Sequence, residues 1–360
     1  MTLDDLLCEM AQKEASDLHL KVGKPPMIRL HGDIIPMNDE SLGATDIREL
    51  LDPVVPSEGK AKFEKERELD FAHSISGVAR FRFNILLQKH NVGVVIRRIP
   101  LKILSLEELN APPVLAKLAL KEKGLVLVTG PTGSGKSTTL AALINHINEN
   151  RKAHILTIED PIEFVHPDKQ SIINQREVGA DTLSFDAALK HVLRQDPDVI
   201  LVGEMRNLET IATTITAAET GHMVFATLHT TGAIATIDRV IDAFPPEHQN
   251  QIRNQLSMVL EGVVSQNLLP KIGGGRVAVQ EIMVCNSAIR NLIREAKLHQ
   301  ISTIIQTGGS QGMIAFDTAL KNLVQSKQIT PEDALAKALC PDVLKNTLAN
   351  LGFRAEIPEH

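Results

Sequence analysis

The segment Gly130–Ser137 constrains this chain more than any other, because Gly-Pro-Thr-Gly-Ser-Gly-Lys-Ser matches the phosphate-binding loop pattern G-x-x-x-x-G-K-[ST]. An apolar run, Leu125–Val128, precedes the loop, and a helix-compatible run, Thr138–Ile147, follows it. Glycines let the backbone curl so that its N–H groups point inward, and the helix adds the partial positive charge of its N-terminus. This order of strand, loop and helix predicts an α/β fold with a triphosphate site at the edge of a sheet.

Two residues of the loop have separate expected tasks. Lys136, predicted to be both binding and catalytic, brings a positive charge to the β- and γ-phosphates, and the Ser137 hydroxyl suits Mg²⁺. The alternative is a glycine turn beside a surface lysine, and the flanking strand and helix argue against it. The nucleotide-binding residues predicted from the motif are Gly130, Thr132, Gly133, Ser134, Gly135, Lys136, Ser137 and Thr138.

Composition argues against several classes of protein. The 360 residues suffice for two or three domains, and 38 basic against 44 acidic side chains give a net charge of −6. Such a chain has no general attraction for nucleic acid or anionic lipid, and without Trp or Tyr it has few platforms for stacking bases. Three widely spaced cysteines suit a reducing cytoplasm better than a zinc site or a disulfide framework. The acidic first residues and the lack of any run of about 18 apolar residues predict membrane association only through partners.

The hydrophobic pattern divides the chain into four parts. Residues 1–99 alternate short strands and helices and predict a mixed α/β domain, and the proline-punctuated residues 100–113 predict a linker. Residues 114–285 repeat an apolar strand, a polar tip and a helix, which is typical of a mostly parallel sheet. Residues 286–360 predict a helical region.

Four strands of the third part end in polar residues. Because the carboxyl ends of parallel strands meet at one edge, all four tips are expected to surround one triphosphate. Each tip has an ordinary alternative: Asp160 can belong to a turn, Glu163 can be a solvated carboxylate, and Glu204 can cap a helix. His222 and His229, which flank the fourth strand, can equally be core or surface residues. The tips beyond the phosphate loop are 159–163, 203–206 and 229–232.

Hydrolysis of a triphosphate needs a cation that bridges the phosphates, a carboxylate that orients or deprotonates water, and positive charge for the transition state. Glu204 resembles the acid that closes a Walker B strand. The positive charge can come from the N-terminal domain, where Arg80 and Arg82 share one strand face and Arg97 and Arg98 lie on the next strand. The alternative for these arginines is a solvated sheet face.

Four stretches together resemble the Walker A, Asp box, Walker B and His box of the secretion-type ATPases, in order and in spacing. The segment 288–295, Ala-Ile-Arg-Asn-Leu-Ile-Arg-Glu, further resembles the signature of the type IV pilus retraction motors within that family. It also reads as an amphipathic helix, and the two interpretations are compatible. Asn207 stands where such proteins usually carry Asp, and no tetracysteine zinc motif is present, which counts against pilus-extension and secretion-assembly ATPases. The four stretches are 130–138, 157–164, 196–206 and 220–230.

The resemblance implies a PAS-like N-terminal domain, a RecA-like P-loop ATPase domain and a helical C-terminal region, assembled as a ring of six subunits. It also implies ATP and Mg²⁺ as cofactors. By this resemblance, Glu163 is the general base, and Glu204 assists Mg²⁺ and water, with Ser137 as the second metal residue. Arg82 and Arg97 contact the phosphates. His222 and His229 sense the nucleotide, and Glu159 and Asp160 help to bind it.

The resemblance thus implies a cytoplasmic, Mg-dependent ATPase motor for type IV pilus retraction. Its expected partners are its own copies and the inner-membrane platform protein of the pilus machinery, with no nucleic acid. The alternatives are an accessory retraction paralogue, a pilus-extension or secretion ATPase, a nucleic-acid translocase on the same core, and a nucleotide-sensing scaffold without turnover. The acidic charge weighs against the translocase, and the intact set of Lys136, Glu163 and Glu204 weighs against the scaffold.

Overall fold

The chain divides into two compact units, seen in a computed structural model that describes residues 2–30, 32–99 and 102–353. The first unit comprises Met1–Lys102 with Glu163–Val165, and the second comprises Ile103–Ile162 with His166–His360. Each unit has a sheet and a hydrophobic core of its own.

The four-part division expected from the sequence remains a prediction. The compact units differ from it, because residues 103–113 and 286–353 fall within the second unit and Glu163–Val165 falls within the first. Residue 1, residues 100 and 101 of the expected linker, and residues 354–360 of the expected helical region lie outside the described residues.

The first unit is built on a six-stranded sheet in the order β3-β2-β1-β6-β5-β4, in which all neighbours are antiparallel. Burial alternates along β5, so that Phe81 and Phe83 enter the core while Arg80 and Arg82 lie on the other face, as the sequence pattern predicts. The elements are α1 (Leu3–Gln12), β1 (Asp17–Lys21), β2 (Met27–Leu30), β3 (Asp33–Pro36), α2 (Ala44–Leu51), α3 (Ser57–Glu66), β4 (Glu68–Ile75), β5 (Ala79–Gln88) and β6 (Asn91–Ile99).

The second unit is built on a seven-stranded sheet in the order β13-β12-β7-β11-β10-β8-β9. The pair of β12 and β13 is antiparallel, and all other neighbours are parallel. The elements are α4 (Val114–Ala119), β7 (Gly124–Thr129), α5 (Lys136–Asn150), β8 (His154–Glu159), β9 (Ile172–Glu177), α6 (Phe185–Val192), β10 (Val199–Val202), α7 (Leu208–Glu219), β11 (Met223–Leu228), α8 (Ala233–Asp242), α9 (Pro246–Val259), β12 (Leu260–Pro270), β13 (Arg276–Val284), α10 (Ser287–Arg294), α11 (Ile301–Thr307), α12 (Phe316–Gln325), α13 (Pro331–Lys337) and α14 (Pro341–Asn350).

The central strands of this sheet are buried on both faces. Leu125 and Leu127 of β7 belong to one hydrophobic cluster, and Val126 and Val128 belong to another on the opposite side. A parallel strand covered by helices on both faces reads as a continuous apolar run, which is why β7, β10 and β11 stand out in the sequence. The parallel order of β7, β11, β10 and β8 brings the ends of these four strands to one edge.

The hairpin of β12 and β13 extends beyond this edge. The pairing of β12 with β7 ends where Ser265 lies opposite Thr129, the last residue of β7, while β12 continues to Pro270. Residues 266–270 therefore run beside the loop that follows β7. Among residues 2–30, 32–99 and 102–353, no helix is both long and apolar enough to cross a membrane.

Candidate active site

The phosphate loop begins directly after β7 and ends at the first turn of α5. Gly130 and Gly135 have φ angles of 139° and 85°, which side chains rarely adopt. A Cβ at Gly130 would lie 2.1 Å from the carbonyl oxygen of Gln266, and one at Gly135 would lie 2.8 Å from Gln266 Nε2. The glycines of the motif are therefore required both by backbone conformation and by close packing against β12.

The charged group of the loop lies over the loop itself. Lys136 Nζ donates to the carbonyl oxygens of Gly130 at 2.7 Å and Pro131 at 3.1 Å. Thr132 and Gly133 at the tip are exposed, and Ser137 and Thr138 are half-buried in the first turn of α5. The loop thus presents an ammonium group and a helix N-terminus at the same place, which is the arrangement that binds phosphate.

Three further strand ends are joined by charged side chains. Glu204, which follows β10, accepts a hydrogen bond from Arg206 Nε at 2.9 Å and lies 3.1 Å from Nε2 of His229, which follows β11. Nη1 of Arg206 lies 3.3 Å from Oδ2 of Asp160, which follows β8. The structure therefore brings together four residues from three strand tips that are separate in the sequence.

The segment after β8 is held by polar side chains on its neighbours. Glu159 Oε1 accepts hydrogen bonds from Thr157 Oγ1 at 2.6 Å and from Gln175 Nε2 at 3.1 Å. Glu177, a buried residue of β9, accepts from the N–H of Ile162 at 3.1 Å. Sequence reasoning missed Glu177, because β9 carries mixed polar residues and was not recognised as a strand.

The hairpin positions the loop that follows β11. Ser265 Oγ accepts from the Gly232 N–H at 2.7 Å, and Glu281 Oε1 accepts from the Ala233 N–H at 2.7 Å. Burial raises the pKa of Glu281 above its usual range; the hydrogen bond from Ala233 opposes this shift and the charge of Asp317 adds to it. These contacts fix the first turn of α8 and, with it, the segment that carries His229.

Asn207, which stands where related proteins usually carry Asp, has a structural role at the start of α7. It is the N-cap of α7, and its side-chain oxygen accepts from the Thr210 N–H at 2.8 Å. Its amide group donates to Asp186 at 3.1 Å. Asn and Asp cap helices about equally well, but only Asn can also donate to the Asp186 carboxylate.

His222 lies away from this cluster, at the opposite end of β11 from His229, and its predicted nucleotide-sensing role remains a prediction. It precedes the first residue of β11, and its carbonyl oxygen accepts from the Gly124 N–H at the start of β7. Its ring nitrogen Nδ1 lies 2.9 Å from the Ala217 carbonyl oxygen. The phosphate loop follows the far ends of these strands, about 20 Å away at about 3.3 Å per residue.

Three other predicted catalytic residues belong to the first unit. Glu163 is an exposed residue of the segment Glu163–Val165. Arg82 and Arg97 lie opposite each other on β5 and β6, and their side chains are 40% and 69% exposed. Nε of Arg97 lies 2.9 Å from Oδ1 of the buried Asp17, so Arg97 is firmly held on its sheet. The functional roles of these three residues remain predictions.

A cavity of about 720 Å³ adjoins the start of α5. Its size lies within the range of sites that bind small molecules. Sequence analysis did not predict this cavity. Its walls include Asn110, Gly135, Thr138, Thr139, Gln266, Leu268, Arg276 and Asn322.

The oxygen ligands near the loop fit Mg²⁺ bound together with phosphates. The part of the chain that the structure describes has no group of three or more His, Cys, Asp or Glu side chains able to hold a metal ion. Mg²⁺ does not need such a group, because it keeps several waters and uses few protein oxygens beside the phosphates of a nucleotide. The Ser137 hydroxyl and the Glu204 carboxylate are donors of the appropriate kind.

Comparison with known proteins agrees with this geometry. Residues 70–333 match the family described as type II/IV secretion system protein. The chain belongs to this family. The match begins within β4 and ends within α13, and so includes the phosphate loop and the cluster of Asp160, Glu204, Arg206 and His229.

Within the type II/IV secretion family, the similarity extends over nearly the whole chain. The type IV pilus retraction ATPase PilT of Pseudomonas aeruginosa is 52% identical over 342 residues, which are 95% of this chain and 99% of that protein. The type IV pilus ATPase PilU of the same organism is 42% identical, over 94% of this chain and 89% of that protein. A crystal structure of the pilus retraction motor PilT with bound ADP has a TM-score of 0.91 at 44% identity, and it covers 96% of this chain and 99% of that one.

These similarities confirm the recognition of the secretion-type ATPases and the predicted fold class, an α/β N-terminal unit followed by an α/β ATPase core with C-terminal helices. They also confirm the expectation of a nucleotide-binding ATP hydrolase at the level of the family.

Proposed function

We propose that this chain is a motor that hydrolyses ATP to retract type IV pili. The observation that carries the proposal is the joined cluster of Asp160, Glu204, Arg206 and His229 at the sheet edge where the phosphate loop begins. Its similarity to the retraction ATPase PilT, over 95% of the chain, supports the choice of pilus retraction.

ATP is bound by the loop of the second unit. Backbone N–H groups of the loop and the N-terminus of α5 hold the phosphates, and Lys136 moves from the carbonyls of Gly130 and Pro131 to the β- and γ-phosphates. The cavity beside Thr138 and Thr139 receives the base and ribose. Ser137 and Glu204 would hold Mg²⁺, which would supply positive charge to the phosphates.

The hydrolytic step divides between carboxylates and cations. Glu204 orients water through one carboxylate oxygen, and its contacts with Arg206 and His229 fix that carboxylate in place. Glu163 acts as the general base, and Arg82 and Arg97 supply positive charge to the transition state. These assignments follow the family resemblance. Arg82, whose nearest acid is Asp70 at 3.7 Å, is less tightly held than Arg97.

The assembly and location follow from the same proposal. The chain forms a ring of six copies in the cytoplasm and docks on the platform protein of the pilus machinery at the inner membrane. Hydrolysis and product release in successive subunits then move the ring against the pilus base.

Complementation of twitching motility tests the proposal. We expect the chain to restore motility to a strain that lacks its own PilT-type ATPase, because 52% identity spans the whole motor. A Lys136→Ala variant is the matched control and should not restore it. Rescue only of a strain that lacks a PilU-type protein would identify the accessory paralogue instead, and rescue of neither would contradict a retraction function.

A further inference from the structure

The phosphate loop is bonded to its helix through a glutamine that lines the cavity proposed for the base and ribose and has no assigned role in the hydrolytic step. Gln266 of β12 is only 2% exposed. Its Nε2 donates to the carbonyl oxygen of Ser134 at 2.6 Å, and its Oε1 accepts from Thr139 Oγ1 at 2.8 Å. One side chain therefore bonds both to the loop and to the first turns of α5.

The register of the sheet explains why this residue reaches the loop. Pairing of β12 with β7 ends at Ser265 and Thr129, and Gln266 is the first residue beyond that pair. The carbonyl oxygen of Gln266 lies so close to Gly130 that a Cβ there would be only 2.1 Å away. The position of Gln266 relative to the loop is thus fixed by backbone packing as well as by its side chain.

A second glutamine fixes the orientation of the first. Gln280 lies directly opposite Gln266 on β13, is 7% exposed, and donates from Nε2 to Gln266 Oε1 at 2.8 Å. The Gln266 oxygen thus accepts from both Gln280 and Thr139. Because buried amides require partners, these two donors keep the amide from flipping and leave its NH₂ group facing Ser134.

The bond to Ser134 has a consequence for the loop. The carbonyl of Ser134 and the N–H of Gly135 belong to one planar trans peptide, so they point in opposite directions. When Gln266 draws the carbonyl toward β12, the Gly135 N–H turns away from β12. An apolar residue at position 266 would fill the same volume without this effect.

We propose that Gln266, oriented by Gln280, is a positioning residue that aims the Gly135 N–H at a phosphate of bound ADP or ATP. The inference rests on the proposed nucleotide site. It assigns a function to the β12–β13 hairpin, which the family motifs do not include.

The test is ADP affinity and ATPase kinetics of the full-length chain with Gln266→Met, which keeps the volume and removes the amide. We expect ADP to bind about tenfold more weakly, as for loss of one hydrogen bond to a charged group. The hydrogen bond from the Gly135 N–H to the phosphate exists both before and during hydrolysis. Its loss should therefore raise KM for ATP while kcat changes little. Gln280 acts through Gln266, so adding Gln280→Met to the first variant should cause no further loss of ADP affinity.

Asn267→Leu is the matched control, since Asn267 neighbours Gln266 on β12 but faces the other side of the sheet. It should leave ADP affinity unchanged.

If the wild-type chain binds no ADP, the proposed function fails. If the wild type binds and Gln266→Met binds within about twofold of it, the inference is overturned. Should Gln266→Met not fold, Gln280→Met alone decides: we expect about threefold weaker ADP binding, and unchanged binding would overturn the inference.

Discussion

At the scale of single residues, the site depends on two charged side chains, Glu204 and Arg206, each of which contacts two partners. Glu204 has one carboxylate oxygen near Arg206 and the other near His229. The same Arg206 also reaches Asp160, so three strand ends share one ion-pair network. Its members are partly exposed, and exposed ion pairs contribute little to stability. The network is therefore better explained by positioning Glu204 than by holding the fold together.

The sequence alone was sufficient to place His222 away from the edge that carries the phosphate loop, and its nucleotide-sensing role remains a prediction. His222 precedes β11, and in a parallel sheet the residue before a strand lies at the amino edge, away from the ligand edge. His229, which follows the same strand, lies in the cluster as expected.

His166 makes the stability of the chain sensitive to acid. Its ring is buried, and burial together with the charge of Lys169 lowers its pKa from 6.5 to about 4. The folded state then favours the neutral ring, so this contribution is complete above pH 6.5 and is lost as the pH falls toward 4. Between pH 7 and pH 5 the wild type should lose about 2 kcal/mol more unfolding free energy than a His166→Gln variant.

Urea unfolding at the two pH values measures this difference. The exposed His248 offers a control, because His248→Gln should keep the acid sensitivity of the wild type. Equal losses for wild type and His166→Gln would contradict the assignment to His166.

At the scale of elements, the sequence predicted those strands whose environment is uniform. The ends of β10 and β11, at Val202 and Leu228, agree with the predicted tips 203–206 and 229–232, because helices cover both faces of these strands and select continuous apolar runs. The hairpin of β12 and β13 was not predicted. Its interior carries Ser265, Gln266, Gln280 and Glu281, polar residues that disturb both an apolar run and an alternating pattern. Each of them bonds to a loop of the site or to another of these residues, and such contacts between distant segments cannot be read from local periodicity.

The phosphate loop should not tolerate a side chain at its first glycine. A methyl group in Gly130→Ala would meet the Gln266 carbonyl oxygen at 2.1 Å and force the backbone from a φ of 139°. We expect ADP affinity to fall more than about tenfold, since the whole loop must shift. Gly273→Ala in the hairpin turn is the matched control, with a φ of 89° and no atom within 4 Å of the added Cβ.

Calorimetric titration with ADP distinguishes these variants. Gly273→Ala carries similar backbone strain without the collision, so it should bind ADP as the wild type does. Normal ADP binding by Gly130→Ala would show that the loop does not hold the phosphates.

At the scale of the whole molecule, the site of this type II/IV secretion family member is assembled from segments far apart in sequence. Residues 130–137, 160, 204 and 229 belong to one sheet edge of the second unit. Glu163, Arg82 and Arg97 belong to the first unit, and their proposed roles come from the resemblance. The sequence predicted this edge because the carboxyl ends of parallel strands meet there and carry polar residues. The roles of residues in the first unit do not follow from strand order.

The most direct test of the account is steady-state phosphate release from ATP by the purified full-length chain. We predict hydrolysis by the wild type and a loss of at least about 100-fold in kcat for Glu204→Gln, with ADP affinity retained when it is measured without Mg²⁺, because the variant loses the charge that orients water and would hold Mg²⁺. Glu209→Gln, an exposed position on α7, should hydrolyse ATP as the wild type does. A Glu204→Gln protein with wild-type turnover would contradict the account.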